Sequence, residues 1–190
     1  MVLLALALAA ISLAILPALA ADQDDSTIRP GIGLGIVKLG MDREQIVKTA
    51  GNIDGSYTLP TGTKVDFALW KEDPPKKSPT IRYFYDADGK VIQISESAPV
   101  PATAEGISCK STLAEVRAKY KHLRQSIYIN KTTRTHIHYY DDPKRGIAFK
   151  STREEGTSAY ELNSILVHKR GKRFIADADE INLAIKGKKH

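Results

Sequence analysis

The chain has 190 residues, with 28 Lys or Arg against 22 Asp or Glu and a formal net charge of +6 at pH 7. This mild cationic bias favours anionic surfaces or an acidic partner, but it lacks the dense basic stripe with stacking aromatics that is typical of nucleic-acid binding. The single cysteine, Cys109, excludes an intramolecular disulfide. Stability must come from the core, and a chain of this size buries about 70% of the surface it exposes when unfolded. We expect one large domain or two small ones.

Residues 1–20 form an uncharged apolar segment with small residues at Ala18 and Ala20. This ending suits signal peptidase, and Pro17 just before it favours cleavage. We predict a signal peptide cleaved after Ala20 and a soluble mature protein that is secreted or periplasmic, with no membrane span. An uncleaved anchor is the alternative, because about 20 apolar residues can span a bilayer. No cysteine ends the apolar run, which excludes a bacterial lipid anchor at that point.

The glycine-rich stretch at residues 31–51, GIGLGIVKLGMDREQIVKTAG, is the segment most similar to a phosphate-binding loop. A dinucleotide fingerprint needs a third glycine where Ile36 stands, and a P-loop needs Gly-Lys-Ser/Thr where Gly40, Met41 and Asp42 stand. Asp42 would also place a carboxylate where the phosphate would sit. We interpret the glycines as a structural turn and expect no cofactor.

The stretch VKLGMDREQIVK overlays ISCKSTLAEVRA when the chain is shifted by 70 residues. Asp42 in the first copy and Thr112 in the second are good N-cap residues. Gln45 and Glu115 follow them at the spacing of a capping box, in which two otherwise unpaired amide donors are satisfied. We therefore expect each half of the chain to open with an extended lead, a cap and a short helix.

The residues after each predicted helix alternate as strands do. In the first half these are KVDFALW and two strands around a turn at 86–89, and in the second half THIHYY, GIAFKS and ELNSILVHK. We predict an α+β fold of two tandem repeats, each a helix plus an antiparallel sheet of three to four strands. The repeats span 21–100 and 101–172, and a basic C-terminal tail with a short helix spans 173–190.

The helix start KLGMDREQIVK, with its degenerate copy CKSTLAEVRA, resembles the BamE/SmpA-like and β-lactamase-inhibitor-protein-like superfamily. In pattern the resemblance covers about residues 28–170. Members are small exported proteins whose sheet or loops bind other proteins, and none of the motif positions is catalytic. The tandem arrangement is similar to the inhibitor protein, whereas the missing lipid-anchor cysteine departs from the BamE lipoproteins. The resemblance implies an exported, non-enzymatic binding protein, although fold analogy does not by itself carry function.

The sequence HIH places His136 and His138 on one face of a strand. Two imidazoles can coordinate zinc, but a catalytic zinc site needs a third protein ligand. A metal-assisted hydrolase using His136 and His138 is therefore one alternative function. The other interpretation is that Ile137 and Tyr139 face the core and the two histidines are merely solvated. The possible third ligands, none at a diagnostic spacing, are His122, His168, Asp141 and Asp142.

Aromatic and histidine side chains on the predicted strands are candidates for protein binding. Alternation that points Val65, Phe67 and Leu69 into the core sends Trp70 outward. Neighbours within the stretch RYFY must also face opposite ways, so some of its aromatics should be exposed. An exposed sheet face of this composition is typical of interfaces, unless a helix, the other repeat or the tail covers it. The interaction candidates are Trp70, Tyr83, Tyr85, His136, His138 and Tyr140.

From these patterns we expect an exported protein that binds an unidentified protein of the envelope or the extracellular space through its sheet surface. We expect no catalytic residue, and we interpret Cys109 as a small, inert core residue. The second alternative function is binding of an anionic polymer or the envelope through the basic tail and the loop KEDPPKK.

Overall fold

The structure is a computed structural model, and it describes residues 27–51, 53–69, 81–130, 134–153 and 161–176. Within these ranges no helix is long and apolar enough to cross a membrane. The predicted signal peptide, Trp70, the loop KEDPPKK and residues 177–190 of the predicted tail lie outside them. The strands are β1 (Thr27–Arg29), β2 (Gly33–Leu34), β3 (Val37–Lys38), β4 (Gly55–Thr58), β5 (Lys64–Ala68), β6 (Ile81–Tyr85), β7 (Val91–Glu96), β8 (Ala102–Thr103), β9 (Arg124–Asn130), β10 (Thr135–Asp142), β11 (Ile147–Arg153) and β12 (Glu161–His168), and the helices are α1 (Arg43–Ala50) and α2 (Leu113–Lys119).

Both helices begin with the predicted capping box. The amide of Gln45 donates to the Asp42 carboxylate at 2.9 Å, and the amide of Asp42 donates to the Gln45 side chain at 3.0 Å. The reciprocal pair of bonds joins Thr112 and Glu115. Each helix buries one side chain fully, Ile46 in α1 and Val116 in α2, so the helices contribute little to the core.

The glycine-rich stretch forms the turns that connect β1, β2 and β3. Gly31 and Gly35 have positive φ angles of 70° and 53°, a backbone conformation that glycine adopts without steric strain. The amide of Gly31 donates to the carbonyl of Gly146 at 3.0 Å, which ties this turn to the far half of the chain. The interpretation of these glycines as turn residues is confirmed.

The strands form two sheets. The smaller has the order β3-β2-β1-β8, and the larger is an eight-stranded sheet in the order β4-β5-β6-β7-β12-β11-β10-β9. All neighbours in the larger sheet are antiparallel. Strands β7 and β12 join the two halves, with Ile94 opposite Val167 and Glu96 opposite Ile165.

The prediction of an α+β fold with two tandem helix-plus-sheet repeats is wrong. The described chain is mostly β, with twelve strands against two short helices, and strands from both halves share one sheet. The strand positions were largely correct, but the pairing of β7 with β12 is a contact between distant segments. Local alternation carries no information on which strand edges meet.

Both faces of the large sheet are covered over most of its width. One, the helix-side face, packs against α1, α2 and the small sheet around Tyr83, Phe149 and Ile165. The other, the tail-side face, packs against residues 173–176, which we call the covering segment. Phe174 of this segment stacks on Tyr139 with ring centroids 4.4 Å apart.

Candidate protein-binding surface

Four of the predicted interaction residues are buried, so the prediction that they lie on an exposed face is wrong. Tyr83, Tyr85, His138 and Tyr140 are all between 2% and 5% exposed. The helices and the small sheet cover the face to which Tyr83, Tyr85 and Tyr140 point. Phe84, between two of these tyrosines, is buried on the opposite face. The predicted alternation of side chains between the two faces is correct, but other segments of the chain cover both faces at these residues.

The two tyrosines of β6 have structural roles. The hydroxyl of Tyr85 donates to the buried carboxylate of Asp66 at 3.0 Å, and Arg43 Nε donates to the same oxygen at 2.9 Å. Burial, and secondarily the charge of Asp66, raises the pKa of Tyr85. Burial raises the pKa of Tyr83 to about 12, with a smaller contribution from Glu96. Both phenols are therefore neutral core groups at physiological pH.

His136 and His138 lie side by side on the helix-side face, with ring centroids 6.3 Å apart and planes at 21°. The Gln125 amide donates to His138 Nδ1 at 2.9 Å, and burial, followed by the charges of His136 and Arg153, lowers the pKa of His138. Among the described residues, no group of three His, Cys, Asp or Glu side chains is placed to hold a metal ion. The pair falls short of the three protein ligands of a catalytic zinc site.

The other residues considered as zinc ligands do not converge on this pair. His168 and Asp141 are buried on the tail-side face, where His168 Nε2 lies 3.0 Å from Asp141 Oδ1. Asp142 is buried near the end of β10 and accepts a bond from the amide of Arg145 at 3.2 Å. His122 is exposed in the turn after α2.

Cys109 is partly buried against the core, beside Glu96. Its thiol lies 3.6 Å from the carbonyl oxygen of Glu96. Burial, with a smaller contribution from the Glu96 charge, raises the pKa of the thiol to about 12. A thiol held in its neutral form is a poor nucleophile.

Among the described strands of the large sheet, β9 is the one with large exposed apolar side chains, and it was not among the predicted strands. Ile127 is 55% exposed and Ile129 is 50% exposed. They stand opposite His138 and His136 in β10, on the helix-side face. On the other face, Tyr128 packs edge-on against Tyr139 with ring centroids 5.6 Å apart. The contact between Tyr128 and Tyr139 holds β9 against the sheet, while Ile127 and Ile129 on its other face remain exposed.

Strand β9 is also an edge of the large sheet, since it pairs with β10 and with no second described strand. Natural proteins usually protect such edges with Pro, Lys, bulges or short strand length. β9 has seven residues without proline, and its only charged residue is Arg124 at its start. An edge of this kind is a template for pairing with another extended chain.

The sequence around β9 carries basic but no acidic residues. Residues 116–140 contain no Asp or Glu. The guanidinium of Arg117 lies over the ring of Tyr140, 5.3 Å from its centroid, close to the open edge. Such a region attracts negative charge. The Lys and Arg residues of this stretch are Arg117, Lys119, Lys121, Arg124, Lys131 and Arg134.

A scan against protein-family models finds no match for this chain, and searches of curated proteins and of solved structures find none. The resemblance to the BamE/SmpA-like and β-lactamase-inhibitor-protein-like superfamily therefore rests on the two helix starts alone.

Proposed function

We propose that this chain is an exported, non-enzymatic binding protein that pairs the edge of β9 with an extended, acidic segment of another protein. The observation that carries the proposal is the exposure of Ile127 and Ile129 on an edge strand that pairs with no second described strand. The proposal moves the expected binding site from the aromatic sheet face, which is covered, to the edge of the same sheet.

Addition of a strand to an exposed edge is a recurrent way to bind peptides. Main-chain hydrogen bonds provide affinity, and alternate side chains provide specificity. Ile127 and Ile129 would contact apolar residues at every second position of the partner, because alternate residues share a face. Fully burying an isoleucine contributes about 1.5–3 kcal/mol, so covering the exposed half of each contributes roughly 1 kcal/mol.

The basic surroundings select the charge of the partner. A second copy of this chain would bring the cations on both copies of the 116–140 stretch together, which disfavours self-pairing. An acidic segment would instead be attracted, with a rate and affinity that decrease as salt screens the charges. The partner we propose therefore alternates apolar with acidic or polar residues.

A displayed library of random short peptides tests the proposal with defined probes. The library is selected on the wild-type protein at low ionic strength, and the enriched peptides are synthesised and titrated against variants. Ile127→Thr and Ile129→Thr keep a β-branched residue in the strand and should each weaken binding by roughly fivefold, the equivalent of about 1 kcal/mol. Enriched peptides should be acidic and should bind less tightly as salt is added.

The matched control is Val100→Thr, because Val100 is 59% exposed but lies outside the large sheet. This variant should bind as the wild type does. Three results would contradict the proposal: enriched peptides without acidic residues, equal affinity for the Ile127→Thr variant, or a stronger preference for single-stranded oligonucleotides than for any peptide. Capture of the natural partner from the envelope fraction would follow, with Ile129→Thr as the comparison.

Export is tested separately by sequencing the N-terminus of the protein recovered from the cell envelope or the medium. We expect it to begin at Ala21, after cleavage of the apolar segment. Recovery of the intact N-terminus in a membrane pellet would instead indicate an uncleaved anchor.

A further inference from the structure

A cavity of about 260 Å³ lies on the tail-side face beside β7 and β12, three strands from β9 in the sheet order, where the chain leaves β12. Its apolar walls are Ile92 and Ile175, and the cations at its lining are Lys169, Lys172 and Arg173. Since a dry cavity of roughly 150 Å³ is enough to hold benzene, this one has room for a ring-sized apolar group and a charged head.

A tight turn brings the cations together. The amide of Lys172 donates to the carbonyl of Lys169 at 3.1 Å, which closes a four-residue turn. Gly171 has a φ of 76°, as the third position of a type II turn requires. Its amide donates to the carbonyl of Pro143 at 2.7 Å. The turn is thereby fixed to the β10–β11 connection before any ligand binds.

Hydrogen bonds also fix the polar walls of the cavity. The buried side chain of Gln93 donates to the carbonyl of Ile175 at 2.8 Å and accepts from its amide at 2.7 Å. The buried ring of His168 lies between the carboxylate of Asp141 at 3.0 Å and the carbonyl of Lys169 at 3.2 Å. Gln93 and His168 are already hydrogen-bonded within the protein. The groups available to a ligand are therefore the three cations.

Among the described residues, carboxylates balance the positive charge of the site only in part. Lys169 Nζ lies 3.9 Å from Asp86, and among the described residues this is the one carboxylate paired with any of the three cations. In this part of the chain Lys172 and Arg173 have no carboxylate partner. A phosphate monoester carries −1.5 to −2 near neutral pH, and Arg and Lys side chains are the common donors to phosphate.

We propose that this cavity binds a small organic phosphate. Its phosphate group lies against Lys169, Lys172 and Arg173, and its apolar part lies against Ile92 and Ile175. The fixed turn and the fixed walls lower the ordering cost of binding. The site is separate from the β9 edge and does not depend on its function.

Titration of the full-length protein with phenyl phosphate, followed by amide NMR shifts, tests this site. Wild type should show saturable shifts at Gly171, Lys172 and Ile175. Lys172→Gln and Arg173→Gln should each weaken binding by about tenfold, since hydrogen bonds to charged groups are the stronger ones. These side chains are exposed, so the variants should fold. The control is Lys110→Gln, an exposed lysine in the turn before α2, and it should bind as wild type does.

Three further probes separate the contributions of the ligand's charge and of its apolar part. Benzyl alcohol lacks the charge, inorganic phosphate lacks the apolar part, and benzoate carries a single charge, so each should bind more weakly than phenyl phosphate. The proposal is overturned if wild type shows no saturable shift at these amides or if both variants bind normally. It is equally overturned if Lys110→Gln loses as much affinity or if any of the three probes binds as tightly as phenyl phosphate.

Discussion

Glu96 is a buried carboxyl group at the strand pair that joins the two halves of the large sheet. It is 2% exposed and stands opposite Ile165 in β12 and Ile81 in β6. One carboxylate oxygen accepts a bond from the amide of Ala98, and the other is buried with no partner among the described residues. Burial, only partly opposed by the backbone bonds from Ala98 and Ser97, raises the pKa of Glu96 from 4.5 to about 7.

This shift predicts how the free energy of unfolding changes with pH. Below pH 4.5 the group is protonated in the folded and the unfolded chain, and it adds no pH dependence. Between pH 4.5 and about 7 the unfolded chain ionises while the folded chain keeps its proton, so stability decreases as pH rises. Each pKa unit corresponds to roughly 1.4 kcal/mol, so the loss over this interval is about 3 kcal/mol.

Urea unfolding of the wild type and Glu96→Gln over this pH range measures the effect. Glutamine has nearly the same size and no charge, and its carbonyl can still accept the Ala98 bond. The difference between the two proteins cancels the titration of the other carboxylates. We expect the free energy of unfolding of the variant, relative to that of the wild type, to increase by about 3 kcal/mol from pH 4.5 to pH 7. A difference that stays constant across this interval would show that Glu96 is solvated. The buried pairing of β7 with β12 at Glu96 would then be contradicted.

Two smaller predictions concern the helix caps and the covering segment. Thr112→Ala should lower the free energy of unfolding by about 1 kcal/mol, whereas Thr112→Asn, which keeps a capping oxygen, should lose little in the same denaturation assay; equal losses would refute the capping box. Gln93→Leu keeps the volume but removes both bonds to Ile175, so we expect roughly 2 kcal/mol of destabilisation and faster exchange of the Ile175 amide with solvent. Unchanged exchange at Ile175 would contradict the hydrogen-bonded attachment of the covering segment.

The local features of this fold were accessible from the sequence. The capping boxes at Asp42 and Thr112 depend on residues three positions apart, and the turns depend on glycines within the same short stretch. Strands β5, β6, β7 and β12 lie in segments whose alternation predicted them, and β10 and β11 overlap such segments and run two residues past them. These signals are local because their hydrogen bonds or side-chain directions are set within a few residues.

The strand order of the sheet and the covering of its two faces could not be predicted from the sequence in the same way. Alternation shows that Tyr83 and Phe84 face opposite sides, but not that both sides are covered. That outcome depends on α1, α2 and the small sheet on one side and on residues 173–176 on the other. These are contacts between segments far apart in sequence. The fold class was wrong for the same reason, because β7 pairs with β12 across about 70 intervening residues.

The candidate site was missed for a different reason. Strand β9 has an alternating pattern of its own, with Ile127 and Ile129 on one face and Tyr128 on the other. Aromatics and histidines are common at interfaces, but four of the six such candidates in this molecule are buried. The absence of acidic residues between positions 116 and 140 was visible in the sequence and is the signal that identifies this region.

Hydrogen exchange of the β9 amides, with and without a bound acidic peptide, is a direct measurement of strand addition at this edge. The two edges of the large sheet, β9 and β4, provide an internal comparison. Strand addition at β9 predicts slower exchange for the outward-facing amides within residues 124–130 and no change within Gly55–Thr58. Protection at β4, or no protection at β9 when the peptide is saturating, would contradict strand addition at β9.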